Sequence, residues 1–229
     1  MFIKFLAAIS QPIDRFYKPW HSRLIGSRRL LDRLFFLSEF LLVLFMIVAW
    51  WLILFFPQAD ILEIYQEIGE KFGILAFGFY GLSLLPGILR RLRLLPLFSS
   101  GLLLFRRHFG ILMFVFTIIH AQFLFAIPQL GVLGEKLSWL IIPREAKPGV
   151  IAFLILIPLW LTSNDFSLNL LKNFWRRLQR LTYLAMFFIV LHLSLLEEKN
   201  LFFIGLLMVF IEIYSWIYFW RNKKKRWDI

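Results

Sequence analysis

The sequence predicts an all-α, polytopic membrane protein: a six-helix transmembrane bundle with its N- and C-termini in the cytoplasm. Three observations carry that expectation. Hydrophobic residues make up 60% of the chain and the mean hydropathy is +0.75, more apolar than a soluble domain of this size. The apolar residues are gathered into runs long enough to cross about 30 Å of hydrocarbon. Of the 26 Lys and Arg residues, 21 fall on one side of the predicted spans, which the positive-inside rule assigns to the cytoplasm.

Residues 1–33 form a cytoplasmic amphipathic segment. Basic residues such as Lys4, Arg15 and Arg33 alternate there with Phe5, Trp20 and Leu30. It reads as one or two interfacial helices on the membrane lipid, broken near Pro12 and Pro19. The start Met1-Phe2-Ile3-Lys4 has no signal-peptide cleavage pattern and is read as part of the mature chain.

The transmembrane domain covers residues 34–220. Its first span runs from about Leu34 to Phe56 and ends at Pro57, and an acidic connection with Asp60, Glu63, Glu67 and Glu70 follows. Span two, about Phe72 to Leu89, carries Gly73, Gly78 and Gly81, which permit close approach of a neighbour. It stops at Arg90-Arg91-Leu92-Arg93. Span three covers about His108 to Ile127 and ends at Pro128. A loop with Glu135, Lys136, Arg144, Glu145 and Lys147 leads to a short fourth span, about Gly149 to Leu161, containing Pro158. The turn Thr162-Ser163-Asn164-Asp165 closes it. Span five runs from about Leu178 to Leu196, Glu197-Glu198 follow, and span six occupies about Leu201 to Trp220. Residues 221–229 are a basic cytoplasmic tail. Tryptophans such as Trp50, Trp139, Trp175 and Trp220 fall near the predicted boundaries, as an interfacial aromatic belt does.

The net charge of +12 is accounted for by these loops and implies no nucleic-acid partner. The chain has no cysteine, which excludes disulfides, thiolate-held iron–sulfur clusters, cysteine nucleophiles and thioether-linked haem. It also has no glycine-rich nucleotide loop and no room for a soluble flavin or NADPH domain, so any electron donor is a separate molecule.

Spans three and five are built alike. Phe105 to His120 reads FRRHFGILMFVFTIIH, and Phe174 to His192 reads FWRRLQRLTYLAMFFIVLH. Each starts with a basic pair and ends an apolar run at a histidine. His120 lies 13 residues past Arg107 and His192 15 past Arg177, depths of roughly 20 and 22 Å at about 1.5 Å per residue. The two helices run the same way, so both histidines sit at one level in the outer half of the membrane. An imidazole in hydrocarbon must use its nitrogens. Two readings follow: each histidine hydrogen-bonds a neighbouring helix, or the pair supplies the two axial ligands of a haem iron, held from facing helices. Phe116, Thr117, Ala185 and Phe188, within two turns of the histidines, are its expected walls. No third histidine or carboxylate shares that depth, which leaves a zinc or di-iron centre without its ligands. Glu212, inside span six, is read as a carboxyl that is protonated or paired with a polar neighbour, and Glu39 as an interfacial partner of Arg33.

Several of these residues carry a resemblance. Arg106-Arg107, then Gly110 and His120; Leu161-Thr162-Ser163; Trp175-Arg176-Arg177-Leu178 with Tyr183-Leu184; and His192 together resemble the ferric reductase-like transmembrane domain. Within it, the resemblance is to the haem-binding subunits of bacterial periplasmic methionine sulfoxide reductase systems, over a core of about 70–197. The resemblance implies a b-type haem protein of the inner (plasma) membrane, an electron-transfer subunit of an oxidoreductase rather than a complete enzyme. Its donor would be quinol or a flavin reductase, with quinone or FMN as the mediator, and its acceptor a periplasmic molybdopterin reductase that repairs methionine sulfoxide. His120 and His192 fall on the haem-ligand positions, with Arg107, His108 and Gln179 completing the cofactor-binding set.

The family usually has histidine where Gln179 stands, 13 residues before His192. A second, inner haem would then depend on His108, whose other reading is an interfacial histidine beside Arg107. The family's basic-proline-aromatic stretch before the fourth span is altered to Arg144-Glu145-Ala146-Lys147-Pro148, at the expected docking surface for the outer partner. Arg144, Lys147 and Lys199 lie on the outer side, where haem propionates would find a cation. Competing functions are a non-redox scaffold or transporter component that keeps the fold, and a haem-handling protein.

Overall fold

In the computed structural model, described over residues 2–55, 62–124, 142–196 and 199–224, every regular element is helical. Pro57, Asp60, the end of span three at Pro128, Glu135, Lys136, Trp139, Glu197, Glu198 and most of the basic tail lie outside the described residues. The elements are α1 (Phe2–Gly26), α2 (Arg28–Phe55), α3 (Leu62–Leu92), α4 (Pro96–Ala121), α5 (Lys147–Leu161), α6 (Asp165–Leu171), α7 (Asn173–Leu178), α8 (Leu181–Leu195) and α9 (Lys199–Lys224).

Five stretches are each long and apolar enough to cross a membrane: Arg28–Trp51, Ile64–Leu92, Pro96–Leu124, Asn173–Leu195 and Lys199–Asn222. The short fourth span is α5, followed by α6 at a bend of 88°. The 15 residues of α5 rise about 22 Å, less than the hydrocarbon thickness, and α6, turned nearly at right angles, adds little depth, so the pair is a broken span or a re-entrant loop. The bend sits where the sequence placed its turn: Asn164 caps α6, its side chain accepting from the Ser167 amide at 2.7 Å. The expected multi-pass helical bundle is therefore the observed architecture, with five to six crossings. Apolar side chains on α2, such as Phe36, Phe40 and Ile47, are exposed, as a lipid-facing helix requires.

The N-terminal segment departs from expectation. α1 is one helix through both Pro12 and Pro19, without the expected breaks, and it packs on the start of α4. Tyr17 meets Phe98 edge-on at 5.4 Å, His21 Nε2 hydrogen-bonds Ser100 Oγ at 2.8 Å, and Asp14 accepts from the Phe98 amide at 3.4 Å. Each proline costs only its own amide hydrogen bond and a local clash; tertiary contacts of this kind can hold the helix continuous.

Two cores position the site. One joins α3, α4, α5 and α8 through Tyr80, Leu84, Phe114, Leu156 and Ala185; the other joins α2, α3 and α4 through Ala49, Ala76, Phe116, Ile119 and Phe123. Lipid tails are as apolar as these side chains, so close fit and hydrogen bonds carry the association. Tyr80, 1% exposed, donates its hydroxyl to the Thr182 carbonyl at 2.7 Å, tying α3 to the start of α8. At the same end Arg91 pairs with Glu212, and its Nε donates to Ser215 Oγ at 2.8 Å, while its guanidinium lies 4.8 Å above the Trp216 ring. The carboxyl expected to pair with a polar neighbour thus does so. Its partner comes from the basic run assigned to a loop, because α3 continues past Leu89 and carries Arg91 into the bundle.

Removing one member of this pair leaves a buried charge alone. Glu212→Ala or Arg91→Leu should lower stability by about 3–5 kcal/mol, whereas Arg91→Met with Glu212→Leu should recover much of it. Denaturant unfolding in detergent reads both effects. Equal loss in the double variant would show that the pair itself, and not the orphaned charge, sets the stability.

Candidate functional site

The two deep histidines are brought together. His120, on α4, and His192, on α8, have ring centroids 6.3 Å apart and ring planes at 71°. Their helices belong to different pairs: α3 packs along α4 and α5 along α8, while the α4 and α8 backbones scarcely touch. The imidazoles therefore face each other across a gap between two helix pairs.

Each ring is oriented by the helix pair behind it. His120 Nδ1 lies 2.8 Å from the Gly69 carbonyl of α3, and His192 Nδ1 lies 2.8 Å from the Glu145 carbonyl just before α5. A carbonyl oxygen only accepts, so Nδ1 carries the hydrogen in both rings, and in the neutral tautomer Nε2 keeps its lone pair. Metal-bound histidines are commonly oriented in this way by a hydrogen bond from the second ring nitrogen.

Glycine makes room for both rings. A Cβ at Gly73 of α3 would stand 2.6 Å from His120 Nδ1, and one at Gly149 of α5 would stand 3.1 Å from three atoms of the His192 ring. Any larger residue at Gly73 has to displace the imidazole. Gly78, by contrast, has nothing within 4 Å of the position its Cβ would take, so only part of the glycine pattern of span two reports close packing.

The spacing fits a metal between the rings. Two nitrogen–metal bonds of about 2 Å in line, plus about 1 Å from each nitrogen to its ring centre, put the centroids about 6 Å apart. No cluster of three or more histidine or acidic side chains with metal-binding geometry occurs among the described residues. Two ligands with nothing further from the described residues is a donor set that a haem iron takes, its four remaining positions being filled by the macrocycle.

The expected walls are partly elsewhere. Phe116 belongs to the core between α2, α3 and α4, where it packs against Phe79 at 5.3 Å. Thr117 turns its hydroxyl to the Met113 carbonyl at 2.8 Å. Ala185 is fully buried in the core that joins α8 to α5, and Phe188 stacks edge-on with Phe187.

The other three candidates are not brought to the histidine pair. Arg107 forms an exposed ion pair with Asp165 at 3.1 Å. His108 faces α2, with Nδ1 3.1 Å from Glu39 and Nε2 3.3 Å from Asp32, its ring stacked on Phe35 at 4.8 Å. Both of its nitrogens are thus occupied by carboxylates, and Glu39 serves His108 rather than Arg33. Gln179 lies at the break between α7 and α8, where the Thr182 and Tyr183 amides bond three residues back, to Gln179 and Arg180. Its amide nitrogen points to Thr162 Oγ1 at 3.4 Å, and the Trp175 indole donates to the Thr162 carbonyl at 2.8 Å. Gln179 thus joins α8 to the end of α5.

Sequence reasoning missed Gly69, Gly149 and the Glu145 carbonyl. A carbonyl has no side-chain signature; a glycine beside Pro148 at the start of an apolar helix was the one available signal for Gly149.

The family model described as ferric reductase like transmembrane component matches residues 72–190, just over half of the chain, a stretch that begins inside α3, includes His120 and ends two residues before His192. A protein-methionine-sulfoxide reductase heme-binding subunit, MsrQ, of Agrobacterium fabrum is 30% identical over 134 residues, 58% of this chain and 60% of that protein. The protein of the same name from Brucella ovis is 32% identical over 117 residues, 49% of each chain. The chain thus spans about half to three-fifths of the length of these curated relatives. No solved structure matches. With its helical multi-pass architecture and a family match that covers half its length, the chain belongs to the ferric reductase-like transmembrane component family.

Proposed function

We propose that this protein is a haem-binding membrane subunit that carries electrons for an oxidoreductase, with His120 and His192 as the axial ligands of one b-type haem. The observation that carries the proposal is the facing imidazole pair, 6.3 Å between centroids, with each Nδ1 turned away onto a backbone carbonyl. The names of the relatives, haem-binding subunits of methionine sulfoxide reductases, support the same cofactor, and a reductase of that class on the outer side is the acceptor proposed here.

A bound haem supplies a one-electron centre inside a membrane that electrons otherwise cannot cross. The chain's own residues do the rest. The Gly69 and Glu145 carbonyls fix the tautomers and raise the basicity of the ligating nitrogens. Gly73 and Gly149 let α3 and α5 close behind the rings. Arg144, exposed and adjacent to the Glu145 carbonyl, is the cation placed nearest in sequence to this end of the site, and is proposed to meet a haem carboxylate. The charge distribution supports termini in the cytoplasm and the histidine pair in the outer half of the membrane, so that a separate quinol or flavin-reductase donor serves the inner side. With His108 and Gln179 both engaged elsewhere, we propose a single haem per chain.

Purified protein, oxidised and then reduced with dithionite, should show a Soret band that shifts on reduction, with one haem per chain. His120→Ala and His192→Ala should each remove most of it. Folded, haem-free wild type would favour the scaffold reading, and two haems per chain would overturn the assignment of His108 and Gln179.

The glycines give a graded test. Gly73→Ala, whose methyl would stand 2.6 Å from a ring nitrogen, should weaken haem retention about 10- to 100-fold, the usual cost of disturbing the groups that orient a ligand. Gly149→Ala, at 3.1 Å, should cost less. Haem competition with apomyoglobin measures the order; the reverse order would contradict the site.

A further inference from the structure

A second site lies at the end of the bundle where α3 stops and α9 finishes, away from the histidines. A cavity of about 220 Å³ opens between α3, α4, α8 and α9, lined by Arg90, Arg91, Arg106, Tyr183, Glu212 and Trp216 among others. Three guanidinium groups meet one carboxylate there. The carboxylate is already committed through one oxygen to Arg91. Arg90 and Arg106 are exposed at the rim, and neither side chain has an ion pair or hydrogen bond with any described residue. The cavity thus has an excess of two positive charges beside an apolar phase, where a counter-charge is worth more than in water.

The second oxygen of Glu212 points the same way. The residue is 2% exposed, and its Oε2 is buried with no hydrogen-bond partner. An acceptor so placed calls for a donor hydrogen. The volume suits a headgroup rather than a drug-sized molecule.

We infer that this cavity is a binding site for a phosphate ester of a polyol, its phosphate held by Arg90 and Arg106 and a neighbouring hydroxyl donated to Glu212 Oε2. A glycerol-headed anionic phospholipid and a free sugar or glycerol phosphate share that chemistry. The site uses no residue of the histidine pair, so its readout is independent of haem.

The test is native mass spectrometry of the full chain in detergent, titrated with phosphatidylglycerol, phosphatidylcholine, phosphatidylmethanol, glycerol 3-phosphate and inorganic phosphate. Phosphatidylglycerol should bind at least about 10-fold more tightly than phosphatidylcholine, and several-fold more tightly than phosphatidylmethanol, which has the charge without the hydroxyl. The double variant Arg90→Gln, Arg106→Gln should lose the preference, while Arg90→Lys with Arg106→Lys keeps most of it and shows that the fold tolerates change there. Displacement of the lipid by millimolar glycerol 3-phosphate or inorganic phosphate would assign the site to free phosphates, and resistance to both would assign it to lipid. Unchanged phosphatidylglycerol binding in the double Gln variant would overturn the site. So would an equal loss in Arg176→Gln, which lies at the same end but outside the cavity, and phosphatidylmethanol binding as tightly as phosphatidylglycerol would remove Glu212 from it.

Discussion

Two hydrogen bonds from imidazole to backbone carbonyl hold the centre of this structure. In hydrocarbon a ring nitrogen without a partner costs several kcal/mol, so His120 and His192 must each satisfy both nitrogens. Nδ1 of each ring is satisfied by its own helix pair, through Gly69 on one side and Glu145 on the other. What is left, on each ring, is Nε2. The rest of the bundle serves this constraint: α3 must come close enough to α4 for a carbonyl to reach His120, which requires glycine at 73, and α5 must do the same for His192, which requires glycine at 149.

Polar ties away from the histidines join the two helix pairs and hold their neighbours. Tyr80 reaches from α3 to the Thr182 carbonyl, Gln179 and Trp175 hold the α7–α8 break to Thr162, and Arg91 ties α3 to α9 through Glu212 and Ser215. Those contacts lie away from the histidine end, which is held by glycine packing and two backbone carbonyls. A gap that must admit a flat group between α4 and α8 is compatible with this arrangement, since the Tyr80–Thr182 tie lies about 10 to 15 Å along the helices from it.

Much of this was legible in the sequence, for physical reasons. A stretch of some 20 apolar residues in lipid has few options but a helix, which is why α2, α3, α4, α8 and α9 appear where hydropathy places them. The matched depth of His120 and His192 is a matter of counting residues along two such helices. Other features depend on tertiary contacts that local patterns do not encode. The two prolines of α1 predict breaks, yet the helix continues against α4. Arg91 reads as a loop residue but enters the bundle, because α3 extends a turn further. His108, beside Arg107 in the sequence, turns instead to Asp32 and Glu39 on α2, and the break at Gln179 carries no glycine or proline to announce it. Counting along the helices found the histidine pair and the resemblance agreed with its proposed role; neither could show which residues stand behind the rings.

The central claim is that a haem iron sits between these two imidazoles, and the angle between their planes, 71°, makes it open to a direct measurement. Near-perpendicular axial imidazoles give a ferric low-spin haem a strongly anisotropic electron paramagnetic resonance signal, with its largest g-value well above that of parallel rings. Low-temperature spectra of the oxidised protein should show that signal, and His120→Ala and His192→Ala should each abolish it. A high-spin signal in the wild type, or a low-spin signal that survives either substitution, would contradict the account.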